Sequence, residues 1–558
     1  MSQPILMSFD SEDDSKGNPY LFNFYDGETH ETFDNAEKAI EWLVSQRKII
    51  QIWATNLQYD LVNLFYRFPD YCRIVYAGSR VISANIEGSR IHFRDTLNHW
   101  KISVAEMGKK IGLEKLNPNG NYNNIEYCRR DSEITYHFVI SMREKYRIVG
   151  CKIKSTIGSS ALNHFIEFSG FNFDSCISFD EEKLGFMEEG LYGGRTECFY
   201  NKPVKGNISV FDFNSLYPAV MHDHLYPYLT KNHWTNEPNL ENEGMIHVKL
   251  RTPDNLYLPY LPHRRDGTLL FPLGNFSGTY TYFEIREALK LGYKIEKIYK
   301  ALEFTGGTYA PFKKWVEKLY EERLKSQKEN DSLLSDTYKL LMNNLFGKFG
   351  QSNERTELLP ITRERLKRHN CTILEGKYIL ARTIGPYPKH SNFIWAAYTT
   401  AYARHRLYGA LQEVISRGAR LLYCDTDSIF FQSKGDSIFH NDNGLGKLKL
   451  EGHLKEAYFR GLKNYRLVKE DGTVIYKVRG VPRKYAEEFF ENEFVMIRKP
   501  YRLREALRRN SSKNNIKNKK VIVPNYWEEF KKENRKIYDK RKVLKSGETK
   551  PIILEEIK

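Results

Sequence analysis

Carboxylates at fixed spacing are the feature of this chain with the clearest chemical consequence. Asp425 and Asp427 flank Thr426 in the middle of the run from Leu421 to Phe431. The apolar, β-branched and aromatic residues on either side read as two strands, and the polar centre reads as the turn between them. Two carboxylates on a turn between buried strands repel each other and lose hydration, a cost that a neighbouring cation removes. Magnesium suits such hard oxygen ligands and keeps part of its water shell. An Asp-Thr-Asp turn by itself is commonly a solvated surface turn. A second acidic stretch argues against that here: Ile208 to Pro218 reads as a strand ending in Asp212, a polar turn and the start of a helix. Cations held between Asp212 and Asp427 would clamp the attacking and leaving oxygens of a phosphoryl transfer.

Four more acids lie upstream. The apolar strand from Ile5 to Phe9 delivers Asp10 and Glu12, and positions two apart in a strand share a face. Asn56 and Asp60 are four apart, which suits one face of a helix, and so are Tyr127 and Asp131 in a segment that reads as helical to about Tyr146. This spacing lets four acids and a tyrosine converge. Each pair alone also fits a solvated strand end or a helix-surface charge.

The elements that must position these groups follow from periodicity. Residues 36–48 read as a helix with Ala39, Ile40, Leu43 and Val44 as its apolar stripe. Residues 226–305 carry short strands and many Pro, Gly and Asn. Residues 312–329 read as a charged helix, and a second helix puts Lys339 and Asn343 on one face. Gly347 permits close backbone approach. Residues 351–392 form a polar, basic connector of roughly forty residues, long for a plain loop. A helix from Trp395 to Ser416 leads into the Asp425 hairpin.

The 558-residue chain has room for several domains. A net charge of +16 and a pI near 9.2 predict salt-sensitive contact with phosphates, without separating DNA, RNA and an anionic membrane. The 37 Tyr and 33 Phe serve cores or stack on bases. Seven Cys without Cys-x-x-Cys spacing support neither a disulfide framework nor a zinc site and fit a reducing cytoplasm. No signal peptide is visible, and no apolar run is long enough for a bilayer. From Arg498 to Lys550 basic residues outnumber acidic ones about three to one. Tyr526, Trp527, Phe530 and Tyr538 are interspersed there, as in a folded basic module.

Three stretches then stand in a telling order. Phe211 to Pro218, Lys339 to Lys348 and Tyr423 to Ser428 resemble motifs A, B and C of family B DNA polymerases. The resemblance implies template-directed DNA synthesis with Asp212, Asp425 and Asp427 as catalytic acids. Asp212, Asp427 and the carbonyl of Phe213 would bind two Mg2+, with Mn2+ able to substitute. Tyr217 would lie under the sugar of the incoming deoxynucleoside triphosphate, with Lys339, Asn343, Phe346 and Lys463 also at the nucleotide. Arg323 and Lys325 stand where relatives aim basic groups at phosphates, or on a solvated face. Asn344 replaces a usual Ser, and Phe346 replaces a usual Tyr, keeping the ring and losing the hydroxyl.

Upstream, the acid pairs resemble the motifs of the family's 3′–5′ exonuclease. Asp10, Glu12, Asp60 and Asp131 would be catalytic and hold two metals there. Tyr127 would orient the attacking water, and Asn56, Thr96 and Leu97 would contact a frayed primer end. Lys115 matches a lysine placed near the scissile phosphate. Leu191-Tyr192-Gly193-Gly194 is similar to a Tyr-x-Gly-Gly element that coordinates synthesis with editing, its Tyr one place late. Gly193 and Gly194 would contact DNA or simply make a turn. Lys463-Asn464-Tyr465 matches a Lys-x-Tyr element, with Tyr465 steadying the primer, and Lys477 to Val481 resembles the strand that follows it. Some relatives carry Arg where Ala397 stands; Arg404 is out of register.

The implied fold is multidomain α/β. An RNase H-like exonuclease domain at 1–170 precedes a right-hand polymerase. Palm falls at 171–227 and 393–490, fingers at 306–350 and thumb at 491–558, with terminal-protein-region insertions at 228–305 and 351–392. The resemblance further implies protein-primed, strand-displacing replication of a linear viral or plasmid genome. The partners would be primer–template DNA, deoxynucleotides and a terminal protein, with no membrane, and the enzyme a monomer in the host cytoplasm. A nucleic-acid-primed relative and a non-catalytic DNA-binding protein are the alternatives. The latter predicts lost acids, yet Asp212, Asp425 and Asp427 are all present.

Overall fold

The computed structural model describes residues 4–14, 18–64, 72–78, 80–117, 123–173, 179–360, 362, 364–365, 371–374, 378–435, 438–500, 527–534 and 538–554. Two large sheets organise them. The first is built on Ile5–Asp13, whose alternating apolar residues bury Phe9 against Phe24 with ring centroids 4.5 Å apart. Ile50–Ala54 pairs with it in parallel, and Ile91–Asp95 pairs in parallel with Ile50–Ala54. The expected first helix spans Ala36–Ser45, capped by Asn35; the chain turns extended at Gln46 to enter the strand at Ile50. The helix Asn124–Val149 covers this sheet, opened by an Asn123–Glu126 capping box and closed by left-handed Gly150 at φ 73°.

The connector at 351–392 is not a separate module. Its strand Glu354–Pro360 pairs antiparallel with Cys72–Ala77, and Tyr378–Ile384 and Cys371–Leu374 continue outward. The N-terminal sheet thereby grows to ten strands, three of them supplied from beyond residue 350. Arg73 reinforces the seam, its guanidinium 2.7 Å from Glu357. Local polarity disguised these strands, because the unpaired edge of a distant sheet is what calls them into existence.

The second sheet is antiparallel, with Val204–Phe213 at its centre between Ser428–Gln432 and Leu448–Gly461. Arg420–Asp425 and Thr196–Cys198 complete one side; Asn464–Lys469 and Val474–Val478 complete the other. The helix Phe393–Ser416 is buried along most of its length, matching its near-continuous apolar sequence. Residues 226–305 fold into longer strands than expected: Glu243–Arg251, Leu273–Thr281 and Lys294–Phe304 form an antiparallel core, and a helix Tyr282–Lys290 follows a Thr281–Glu284 capping box. Helices Lys313–Lys328 and Ser332–Asn344 pack side by side, joined through left-handed Asn330 and N-cap Asp331.

The C-terminal region divides. Phe494–Pro500 pairs with Trp527–Glu533, and most of the basic stretch between them, with Tyr526, lies outside the described residues. Residues 538–554 then return towards the middle of the chain: Tyr200 bridges Glu548, and Ile553–Leu554 joins the edge of the 226–305 sheet in parallel with Leu273–Gly274. Among the described residues no helix is long and apolar enough to cross a membrane. Cys72, Cys128, Cys151, Cys198 and Cys424 are free and buried.

Candidate active site

Asp212 is the last residue but one of the central strand of the second sheet. It stands opposite Ser428 on one neighbour and Lys449 on the other. The hairpin turn between Asp425 and Ser428 holds Thr426 left-handed at φ 65°, and the Phe213 N–H donates to the Asp427 carbonyl at 2.9 Å. That bond ties the end of one strand to the tip of the hairpin, so Asp212 and Asp427 open into one cavity of about 480 Å³. The size suits a small-molecule ligand. Burial, then Asp427 and Glu451, raises the Asp212 carboxyl to about 7; burial also raises Asp427.

The opposite wall comes from the helix pair. Arg323, Lys339 and Asn343 all line the cavity, as does Tyr217. Arg323 is 9% exposed, reaches Ser215 Oγ at 3.5 Å and has a buried Nε with no partner. Lys325 lies about 200° further round the helix and turns to solvent, paired with Glu322 at 2.8 Å. The structure thus separates two residues that the sequence put together. Phe346 stacks on Tyr217 with centroids 4.2 Å apart.

Five other expected site residues, Asp425, Lys463, Tyr465, Gly193 and Gly194, stand outside the cavity wall. Asp425 does not line the cavity: its carboxylate accepts from Thr196 Oγ1 at 3.1 Å and lies 3.4 Å from Lys463 Nζ. Lys463 follows it and is likewise absent from the cavity wall. Tyr465 is 7% exposed, its ring packed among Tyr423, Phe430 and Phe459, so it supports the hairpin. Gly193 and Gly194 form no left-handed turn; a Cβ on Gly194 would stand 2.8 Å from Thr426 Cγ2, so closeness to the hairpin is what requires glycine there. Arg404, out of register by sequence, is buried and donates to the carbonyls of Tyr192 and Gly193 at 2.7 and 2.9 Å while pairing with Glu284 at 2.6 Å. Glu451, Lys449, Tyr320 and Asn443 line the cavity without having been singled out. Only the alternation of Lys449 and Glu451 on one strand face hinted at the first two.

The second acidic site sits on the N-terminal sheet. Asp10 and Glu12 come from the Ile5–Asp13 strand, Asp60 from the helix Leu57–Leu64 and Asp131 from Asn124–Val149. Their charges meet: burial, then Asp60, Asp131 and Glu12, holds Asp10 well above the usual carboxylate range, and Glu12 is raised to about 7. Asp60 accepts from Ser11 Oγ at 2.8 Å. Asp131 pairs one oxygen with Lys115, whose Nζ lies 4.6 Å from the Tyr127 ring centre, and leaves Oδ1 buried without a partner.

Asn56 is not on the helix with Asp60. It precedes the helix at φ 65°, its N–H donating to Asp95 Oδ1 at 3.1 Å. Thr96 is fully buried, its hydroxyl donating to Thr55 at 3.0 Å, which leaves half-buried Leu97 as the more accessible of that pair. Asp95, unremarked in the sequence, also accepts from the Leu97 N–H at 2.9 Å and so fixes both segments. Its signal was the one Asp212 gave, an acid ending an apolar strand.

A divalent cation fits both donor sets. Among the described residues no three His, Cys, Asp or Glu side chains close into a ready cage. A cation that keeps several waters needs only one or two carboxylates. The orphaned Asp131 Oδ1 and the raised acids are groups such an ion would relieve.

A stability prediction arises here. Because Glu12 is raised to about 7 and Asp10 and Asp60 lie well above the usual carboxylate range, the folded chain binds more protons than the unfolded one from about pH 4 upward, and cation-free stability falls as pH rises through the folded value of Glu12, about 7. In a chelator the melting temperature is expected to drop by roughly several degrees between pH 5.5 and 7.5. Asp10→Asn should flatten that slope, and differential scanning calorimetry of both proteins checks it.

An N-terminal sheet bearing one acid cluster, beside an antiparallel sheet with an acid-lined cavity faced by basic helices, is the architecture of a DNA polymerase with an appended N-terminal domain. The model of the organellar and viral type B DNA polymerases matches residues 104–387. The DNA-directed DNA polymerase of Enterobacteria phage PRD1 is 25% identical over 497 residues, covering 83% of each chain. A DNA polymerase of Kluyveromyces lactis is 23% identical over 397 residues, 64% of this chain and 39% of that one. A solved structure of phi29 DNA polymerase with primer–template DNA and incoming nucleotide superposes with a TM-score of 0.69 at 17% identity, covering 90% of this chain and 98% of the other. The chain belongs to the organellar and viral type B DNA polymerases. Within them it is a DNA-directed DNA polymerase, and its fold is that of phi29 DNA polymerase.

Proposed function

We propose that the 480 Å³ cavity is where deoxynucleotides are added to a 3′-hydroxyl under template direction, and that the N-terminal acid cluster is a 3′–5′ exonuclease. The observation that carries the first reading is that Asp212 and Asp427 share a cavity with Arg323 and Lys339 on its far wall. Acids stand where a reacting hydroxyl and phosphate would meet, and basic groups stand where a triphosphate would extend. Asp212, the Phe213 carbonyl and Asp427 would hold Mg2+, which when bound neutralises phosphate charge and lowers the pKa of a hydroxyl. Arg323 and Lys339 bind the phosphates, and the Tyr217 ring, backed by Phe346, excludes a 2′-hydroxyl. In the second site Asp10, Glu12, Asp60 and Asp131 would hold the cations, while Lys115 and Tyr127 position phosphate and water.

Arg323→Ala is expected to raise the nucleotide KM about tenfold to a hundredfold, the worth of one charge-assisted contact. Lys325→Ala should stay within about twofold. Single-nucleotide extension at varied nucleotide concentration checks both.

The protein-primed, strand-displacing reading is supported by the PRD1 and phi29 likenesses and by the 351–392 segment, which joins the N-terminal sheet. Labelled nucleotide should become attached, in a cation-dependent way, to a hydroxyl of the cognate priming protein. Extension from annealed primers without any label on protein would favour a nucleic-acid-primed enzyme.

A further inference from the structure

The strand Thr196–Cys198 is the edge of the catalytic sheet, with Thr196 opposite Asp425. Its middle residue, Glu197, is 0% exposed and lies between two guanidinium groups. Arg195 approaches from the residue that leads into the strand, Nε at 2.6 Å and Nη2 at 2.5 Å. Arg541 approaches from the other end of the chain, Nη1 at 3.3 Å, and is itself 1% exposed. Arg541 is anchored in turn by Thr549 Oγ1 at 2.9 Å and the Tyr257 carbonyl at 3.0 Å. The returning C-terminal segment holds the strand at two more points: Tyr538 accepts from the Cys198 N–H at 2.8 Å, and Lys540 Nζ donates to the Thr196 carbonyl at 3.3 Å.

A buried charge triad is a poor way to gain stability, since desolvation offsets much of the attraction, and apolar residues would serve as well. Its neighbours give it another purpose. The Arg195 carbonyl accepts the Thr426 N–H at 2.8 Å, and the Thr196 hydroxyl donates to Asp425. Thr426 is a β-branched residue at φ 65°, a conformation that persists only when its surroundings impose it. The edge strand is what imposes it.

We propose that Glu197, clamped by Arg195 and Arg541, is a positioning residue for DNA synthesis: it fixes the edge strand that holds the Asp425–Thr426–Asp427 turn, and makes the C-terminal segment part of the active site's support. This rests on the cavity at Asp212 and Asp427 being the site of synthesis. Nucleotide contacts come from separate helices and the second acid cluster from a separate sheet, so loss of the clamp should affect one parameter alone.

The test uses the full chain, with single-nucleotide extension and excision of a single-stranded oligonucleotide measured side by side. Arg541→Gln is expected to lower kcat for extension about tenfold to a hundredfold, as misplacement of a catalytic group by about 1 Å does. Nucleotide KM and excision should stay within about twofold. Arg541→Lys, which reaches Glu197 but lacks the fork that also binds Thr549 and Tyr257, should recover part of the loss. Thr196→Val, which leaves the triad intact, should reproduce the kcat defect, and Thr196→Ser should restore it. Wild-type kcat in both Arg541→Gln and Thr196→Val overturns the proposal. If Arg541→Gln loses excision equally, unfolding is the cause and Thr196→Val decides: a normal kcat there overturns it, a selective loss sustains it. Asp427→Ala separates the two readings, because synthesis surviving that change sinks the cavity assignment itself, whereas its loss beside a normal Arg541→Gln and Thr196→Val sinks only the clamp.

Discussion

Asp427→Ala is expected to reduce primer extension at least about a thousand-fold while leaving excision within about twofold of wild type. Asp427 is one of two carboxylates opening into the cavity beside Asp212. Removing a carboxylate that neutralises or anchors transition-state charge forfeits several kcal/mol, and each 1.36 kcal/mol is tenfold in rate. The substitution should not disturb the turn. The bond that ties it to the central strand runs from the Phe213 N–H to the Asp427 backbone carbonyl, and the Asp427 N–H to the Asp425 carbonyl at 2.7 Å is also backbone. The loss should therefore appear in kcat, with nucleotide KM governed by Arg323 and Lys339. Rapid-quench extension of a labelled primer, run beside excision on the same oligonucleotide, measures both numbers.

Asp10→Ala should do the reverse, lowering excision at least about a thousand-fold with extension unchanged. Asp10 lies at the centre of the cluster, where Asp60, Asp131 and Glu12 each push its carboxyl upward. A group so placed is the one whose removal most weakens a shared cation site. Its strand runs through the N-terminal sheet and contributes nothing to the sheet that carries Asp212. Release of mononucleotides from a single strand, without deoxynucleotides present, is the measurement. Equal loss of synthesis and excision in either variant would contradict two separate sites.

Short-range features were legible because the chemistry that fixes them is local. The hairpin at Asp425–Ser428 was readable from its flanks, since β-branched and aromatic runs around a polar pair admit few other arrangements. Tyr127 and Asp131 share a helix face because the period of a helix is a property of the backbone. Misreadings occurred where one residue's geometry overrode the pattern. Asn56 has helical spacing to Asp60, yet its N–H is claimed by Asp95, thirty-nine positions on. Lys325 shares its neighbourhood with Arg323 in sequence and lies on the other side of the helix in space. That the Tyr465 ring is buried was not legible either, because a short motif cannot say which strand face is covered.

The acids, their order and the strand or helix that bears each were determined by the sequence alone, because side-chain type and backbone periodicity need no partner to be defined. Only the tertiary structure decided which acids share a cavity, that the 351–392 segment completes a sheet begun at the opposite end of the chain, and that Arg541 stands against Glu197. Those are pairings between residues hundreds of positions apart. Burial and strand register select them over the whole fold, and no local window of the sequence contains both partners.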